Sequence, residues 1–248
     1  MQLTTITDYA EELLHAERFH DYAPIGLQVE GDGRDIRRIA LGVTANLELI
    51  LKARDMNADA IFVHHGWFWK HEEPRVTSIR RMRLAELLKS GMALVSYHLP
   101  LDDHEVFGNN ALLGQHFGFT ATGRFGEDNL GWIGTTPTVR VDELAEKIEA
   151  DLARKPLVVG PREKSINRVA WCSGAAQDYI EAACEAGADC FISGEISERT
   201  THIANELGIT YMSCGHHATE RYGIQALGAE LSRHFGLEAK YIEIENPV

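Results

Sequence analysis

Short apolar runs recur along the chain, each followed by a stretch with apolar residues at helical spacing. Arg38–Val43, Ala60–His64 and Ala93–His98 read as strands in the first half, and Arg168–Ser173, Cys190–Ser193 and Thr210–Cys214 in the second. The runs are nearly all apolar rather than alternating, which is the pattern of strands buried on both faces and paired mostly in parallel. Helical stretches Leu47 to Asn57 and Tyr179 to Ala186 separate the first two strands of each set. Leu130–Thr135 reads as an extra strand opening the second half. Val141–Ala153 follows as a helix stopped by Pro156.

The two sets match each other. Ile36-Arg37-Arg38-Ile39-Ala40 corresponds to Ile166-Asn167-Arg168-Val169-Ala170, an offset of 130 that also carries Ala58-Asp59-Ala60-Ile61-Phe62 onto Ala188-Asp189-Cys190-Phe191-Ile192. Further on the offset is 118, bringing His98 onto His216, Asp102 onto Glu220 and His116-Phe117-Gly118 onto His234-Phe235-Gly236. Strand–helix units often look alike by chance, but constant offsets that also carry histidines and carboxylates favour duplication. The expected fold class is α/β, in two halves, 1–125 and 126–248, with a junction at Gly123 to Asn129. No Pro/Ser-rich linker separates them, so the halves are expected to pack together with any site in the crease.

Composition narrows the function. Of 248 residues, 44% are hydrophobic and 25% charged, and 24 Lys and Arg against 37 Asp and Glu give a net charge of −13. That balance argues against general nucleic-acid binding but leaves room for a small nucleotide in a local pocket. No apolar run approaches the ~18 residues of a membrane span. The start, MQLTTITDYAEELLHAERFH, lacks the basic and apolar regions of a signal peptide, so a cytoplasmic, membrane-free protein is expected. The four cysteines form no CxxC pair, and Cys172 and Cys190, inside apolar runs, read as small hydrophobes. The 12 histidines carry more information, because several cluster.

His64-His65 closes one strand, and carboxyl ends of strands are where α/β folds place ligands. An isolated pair there more often caps the strand or faces solvent. Two further clusters change the balance. His98-Leu99-Pro100-Leu101-Asp102 follows another strand, and Gly215-His216-His217-Ala218-Thr219-Glu220 follows its repeat partner. His216 and Glu220, four apart, share a face if they open the last helix. Imidazole and carboxylate without thiolate suit Zn, Mn, Fe, Co or Ni. Three histidines and two carboxylates exceed one tetrahedral site and fit two ions bridged by a carboxylate, ~3.5–4 Å apart, which together clamp a reacting centre. Glu195 is the repeat equivalent of His65, and reads either as facing the same cleft or as a solvated strand end.

Together with Asp21-Tyr22-Ala23-Pro24 and Gly26-Leu27-Gln28-Val29, these clusters make the chain resemble, essentially end to end, the YbgI-type family of dinuclear-metal proteins labelled GTP cyclohydrolase 1 type 2 homologue. The resemblance implies a toroidal homohexamer, its protomer two intertwined repeats with mixed sheets and the metal pair in the cleft between them. It implies His64, His65, Asp102, His216 and Glu220 as ligands, Glu220 bridging, and His98 orienting a ligand or a metal-bound water. His217 is left either in a similar role or exposed. Trp67, Phe68 and Trp69 read as packing or subunit contacts, or as a surface that stacks a base. Ile25 stands where the family has Asn, which bears on substrate contacts. Ser173-Gly174-Ala175-Ala176 replaces a run of glycines and reads either as close packing or as a phosphate-binding turn. No Walker A or GxGxxG loop is present.

The resulting expectation is a metal-dependent hydrolase with two divalent ions per chain, acting on a nucleotide-like or other small heterocyclic substrate. His98 and Glu195 are its acid–base candidates. The alternative is a non-catalytic, metal-handling hexamer, which needs neither group. A nucleic-acid clamp threading the ring is disfavoured by the charge.

Overall fold

The computed structural model describes all 248 residues, Met1–Val248. The chain begins α1 (Leu3–Leu13), β1 (Gly26–Val29), β2 (Arg38–Thr44), α2 (Leu47–Asp55), β3 (Ala60–His65), α3 (Ser78–Ser90), β4 (Ala93–Ser96) and α4 (Leu99–Asp103). It continues α5 (Asn109–His116), β5 (Thr120–Phe125), β6 (Gly131–Arg140), α6 (Val141–Leu152), β7 (Leu157–Val159) and β8 (Ser165–Cys172). The remainder is α7 (Ile180–Glu185), β9 (Cys190–Ser193), α8 (Glu198–Leu207), β10 (Thr210–Ser213), α9 (His216–Phe235) and β11 (Glu238–Tyr241). No helix is long and apolar enough to cross a membrane.

The residues gather into two compact units. The first is Met1–Phe107 with Gly223–Glu245, and the second Gly108–Tyr222 with Asn246–Val248. A single cut after residue 125 does not reproduce them, for a reason of strand pairing. Strand β5 pairs with β6, drawing the chain before residue 125 into the second sheet, and β11 pairs with β2, returning the C-terminal segment to the first. The crossover is therefore at Phe107/Gly108, ahead of the Gly123–Asn129 segment that the sequence suggests.

The first unit's sheet runs β1-β4-β3-β2-β11, all parallel except β1. Side chains alternate across it. Leu41, Ala60, Phe62 and Val95 meet Ile6 and Ala10 of α1 and Ile224, Leu227 and Leu231 of α9. Ala40, Ile61, Val63 and Leu94 meet Leu49, Ile50 and Ala53 of α2 and Leu87 of α3. Both faces are covered, which is why these strands are continuously apolar.

The second unit's sheet runs β5-β6-β8-β9-β10-β7. Its centre β8-β9-β10 is parallel, and antiparallel strands flank it. Val169, Trp171, Ile192 and Met212 pack with Leu144, Ile148 and Leu152 of α6, while Ala170, Phe191 and Tyr211 face Ile180, Ala183 and Ala204. All four cysteines are free thiols, and Cys172, Cys190 and Cys214 are buried. Burial pushes the Cys190 thiol far up and that of Cys214 to about 12, so both behave as small apolar residues.

The repeat extends to strand register. Ile39 pairs with Ala60 and Val169 with Cys190, so the 130-residue offset holds across hydrogen-bonded strands. It extends also to a polar device. Asp59 Oδ2 accepts the backbone N–H groups of Arg37 and Arg38 at 2.8 and 2.9 Å, and Asp189 Oδ2 those of Asn167 and Arg168 at 3.1 and 2.8 Å. Each carboxylate ties the entry of one central strand to the start of its neighbour. Asp59→Ala and Asp189→Ala are each expected to cost about 1–3 kcal/mol for the stranded donors. Urea unfolding of the two variants checks this, and unequal losses would show that the device is not equivalent in the two halves.

Candidate metal centre

In the first unit, β3 ends in His64-His65, with His64 fully buried and His65 half-buried. Their ring centroids are 4.6 Å apart, so the pair converges at the strand end despite the alternation of a strand. His64 Nδ1 lies 3.0 Å from the Tyr97 carbonyl. A carbonyl only accepts, so Nδ1 is the donor, and in the neutral ring the lone pair is on Nε2. That Nε2 is 3.5 Å from Asp102 Oδ2, presented by α4. His65 Nδ1 lies 3.2 Å from Thr44 Oγ1 at the end of the neighbouring strand.

His98 joins the two. Ring nitrogens of His64, His65 and His98 can all lie within 4.8 Å of one another. His98 is held from behind by Asp21, whose Oδ1 accepts from Nδ1 at 2.7 Å. The same carboxylate accepts the N–H of Leu99 at 2.8 Å and of Tyr22 at 2.6 Å. Burial alone would raise the Asp21 pKa, but these three donors outweigh it and hold the carboxyl below the usual range. Trp69 closes over the cluster, its ring edge-on to His98 at 5.0 Å and 6.0 Å from His65, whereas Trp67 is buried and Phe68 exposed.

Because the Asp21 pKa is depressed, its contribution to stability is complete above the unfolded carboxyl value near ~4 and is lost as pH falls through the lower folded value. Asp21→Asn is therefore expected to be less stable than wild type by about 1.5–3 kcal/mol at neutral pH, with the gap closing on acidification below pH ~4. Urea unfolding across pH measures it. A gap that stays constant to pH 3 would rule out the carboxylate charge as its cause.

In the second unit, α9 opens at His216, and Glu220 follows one turn on. His216 Nε2 is 3.0 Å from Glu220 Oε2, and Nδ1 is 2.7 Å from Glu195 Oε1. Burial alone would lower the His216 pKa, but the Glu220 and Glu195 carboxylates raise it to about 9. In this form the ring is an imidazolium, and its Nε2 proton occupies the place beside Glu220 that a cation would take. Glu195 is half-buried and bound to His216, not a solvated strand end. His217 is buried as well, and its N–H donates to the Val248 carbonyl at 3.0 Å.

Gly174, just beyond β8, lies against this pair. Its φ is +65°, and a Cβ there would stand 2.1 Å from Glu220 Oε1 and 3.2 Å from His216 Nε2. Its N–H donates to Thr219 Oγ1 at 3.0 Å, and that hydroxyl is 2.9 Å from the His216 carbonyl. The Gly174 amide is thus spent on α9 rather than offered to a phosphate. Residue types alone do not single out Asp21 or Thr219 as site residues, nor Gly174 as a support of His216 and Glu220. Asp21 lies within the motif quoted for the family. Gly174 belongs to the Ser173–Ala176 segment, which the sequence offers as close packing or a phosphate-binding turn and not as a support for side chains of α9.

The donor chemistry suits divalent transition ions. Each unit offers imidazole Nε2 atoms and a carboxylate, with no thiolate. His64, His98 and His216 each have Nδ1 held by a carbonyl or carboxylate, the arrangement that orients metal-binding histidines.

Residues 1–247 match the family described as Duf34/NIF3 (NGG1p interacting factor 3). A relative named "GTP cyclohydrolase 1 type 2 homolog" from Allochromatium vinosum is 49% identical over 241 residues, covering 96% of this chain and 94% of its own. Among solved structures, one titled "protein ybgI, unknown function" superposes with a TM-score of 0.96 at 43% identity, covering 100% of both chains. TTHA1606 of Thermus thermophilus gives 0.89 at 29% identity, again over 100% of both.

Proposed function

Because this chain belongs to the Duf34/NIF3 family, we propose that it is a metal-dependent hydrolase with two divalent ions per chain, acting on a nucleotide-like substrate. In this reading His64, His65 and Asp102 from the first unit and His216 and Glu220 from the second are the ligands, with Glu220 shared between the ions. One observation carries the reading. Three histidines, in both halves of a duplicated chain, have Nδ1 fixed by an acceptor and so present Nε2. Structural histidines have no need of that common orientation.

When bound, ions of the Zn, Mn, Fe, Co or Ni class supply positive charge to a reacting centre and lower the pKa of coordinated water. The chain's residues supply position and proton transfer. Asp21 fixes His98 and stabilises the imidazolium it forms on taking a proton at Nε2, so His98 serves as the acid–base group. Glu195 is committed to His216 Nδ1 and acts by holding that ring. Trp69 limits access of water to the histidines on its side. A cytoplasmic ring of six chains belongs to the same reading, and free thiols suit that compartment.

The test is metal content per purified chain, with turnover of GTP assayed on the same samples, because the relatives' name puts GTP first among substrates to try. About two ions per chain with turnover that disappears on chelation is the expected result. Two ions without turnover on any nucleoside triphosphate would replace the hydrolase by a metal-handling protein. Failure to take up metal at all would remove the centre itself.

A further inference from the structure

Between β3 and α3 the first unit has a cavity of about 400 Å³, walled by Trp67 and by the segment leading into α3. That volume is at the small end of the range for ligand sites, roughly 300–1,000 Å³. Its chemistry runs against that of the molecule. The chain carries a net charge of −13, yet three arginines, Arg75, Arg80 and Arg83, line this cavity against two glutamates, Glu72 and Glu73. Thr77 and Ser78 line it too, at the start of α3, a helix of 13 residues. Thr77 makes no side-chain cap hydrogen bond, and the first turn holds no acidic residue. The positive end of the helix and its first N–H groups thus lack the usual side-chain partner.

The arginines differ in how they are satisfied. Arg75 makes two bonds of 2.9 Å to the Glu73 carboxylate, and Arg80 one of 2.6 Å to Glu72 as well as a contact with the Glu73 carbonyl. Both glutamates are exposed, so solvent screens these pairs and an incoming anion can exchange with them. Arg83 is different. Its Nε is buried with no hydrogen-bond partner, while the residue lines the cavity.

We infer that this cavity binds the phosphate tail of a nucleoside polyphosphate. Three guanidiniums and a helix N-terminus call for several negative charges on tetrahedral oxygens, beyond what a single carboxylate offers. The Trp67 indole, locked by its bond to the Ala45 carbonyl at 2.8 Å, forms a rigid wall. Trp67 stands two residues beyond His65, roughly 7 Å of chain. A phosphate tail held here would fix which part of the molecule reaches the histidines. The inference rests on the nucleotide reading of the function for its choice of ligand. The cavity itself can be tested without the metal centre.

The experiment uses the full chain freed of metal by chelation, with inorganic tripolyphosphate as the probe in titration calorimetry. Wild type is expected to bind it. Arg83→Gln and Arg75→Gln are each expected to weaken binding tenfold or more, and GTP to compete with the probe. Arg75 has a side chain 77% exposed, so its variant keeps the fold whatever happens to Arg83→Gln. Absence of binding, or equal binding by wild type and Arg75→Gln, would overturn the site. Binding of tripolyphosphate that GTP cannot displace would overturn its assignment to a nucleotide. Because metal is absent throughout, a failure of the hydrolase reading appears only in metal content and turnover, and leaves this result unaffected.

Discussion

Glu220→Ala is expected to reduce the metal content of the purified chain from about two ions to fewer than one, with affinity down by more than ~100-fold. Glu220 is 3% exposed and, one turn into α9, points one oxygen at His216 Nε2. In the proposed centre, losing it would remove both a ligand and the negative charge that offsets two cations. The helix itself tolerates alanine, the best helix former, so far-ultraviolet circular dichroism should be unchanged. Glu220→Gln keeps the shape without the charge and should fall between the two. Mass-spectrometric metal analysis after equilibration with excess Zn or Mn reads the result. Full loading of Glu220→Ala would exclude this carboxylate as the bridge.

The second large effect comes from a residue that has no side chain. Gly174→Ala is expected to lower metal affinity by about 10–100-fold without altering any ligand. The new Cβ would coincide with the space of Glu220 Oε1, and no relaxation of Gly174 is free, because φ is +65° there. A left-handed backbone costs an L-residue about 1–2 kcal/mol before any collision is counted. Stability and metal content should therefore fall together, in contrast with Glu220→Ala, where metal is lost first. A Gly174→Ala protein with wild-type metal content would mean that Glu220 does not ligate from the position it holds here.

Much of the two sheets was legible because burial on both faces leaves an unmistakable run of apolar residues. Strands β2, β3, β8, β9 and β10 lie within a few residues of where the pattern puts them, Cys190–Ser193 to the residue. Four strands carried no such mark. Gly26–Val29, Thr120–Phe125, Leu157–Val159 and Glu238–Tyr241 are sheet edges, short or half-exposed, and they exist because a neighbour pairs with them. Since β5 and β11 decide which unit their segments join, the division of the chain was hidden for the same reason.

The candidate site was legible as clusters and not as geometry. Offsets made His98 and His216 equivalent, and both do follow corresponding strands. The structures of the two turns differ, though. One residue, Tyr97, separates β4 from His98, whereas Cys214 and Gly215 separate β10 from His216, with Gly215 at φ +96°. His98 then precedes a helix of five residues, and His216 opens one of twenty. Nothing in the residue types foretold that Asp21, distant in sequence, would hold His98.

The burial of the thiols also has a practical use. Cys172 lies in β8, Cys190 in β9 and Cys214 just after β10, all buried in or at the end of the parallel centre of one sheet, while Cys184 on α7 is only half-buried. A thiol-reactive dye should therefore mark one position quickly and the other three only when that sheet opens. The slow phase becomes a clock for local opening, carried by the native sequence. Run with and without bound ions, it would report how firmly the strand ends beneath His216 are held, with no engineered label and no unfolding agent.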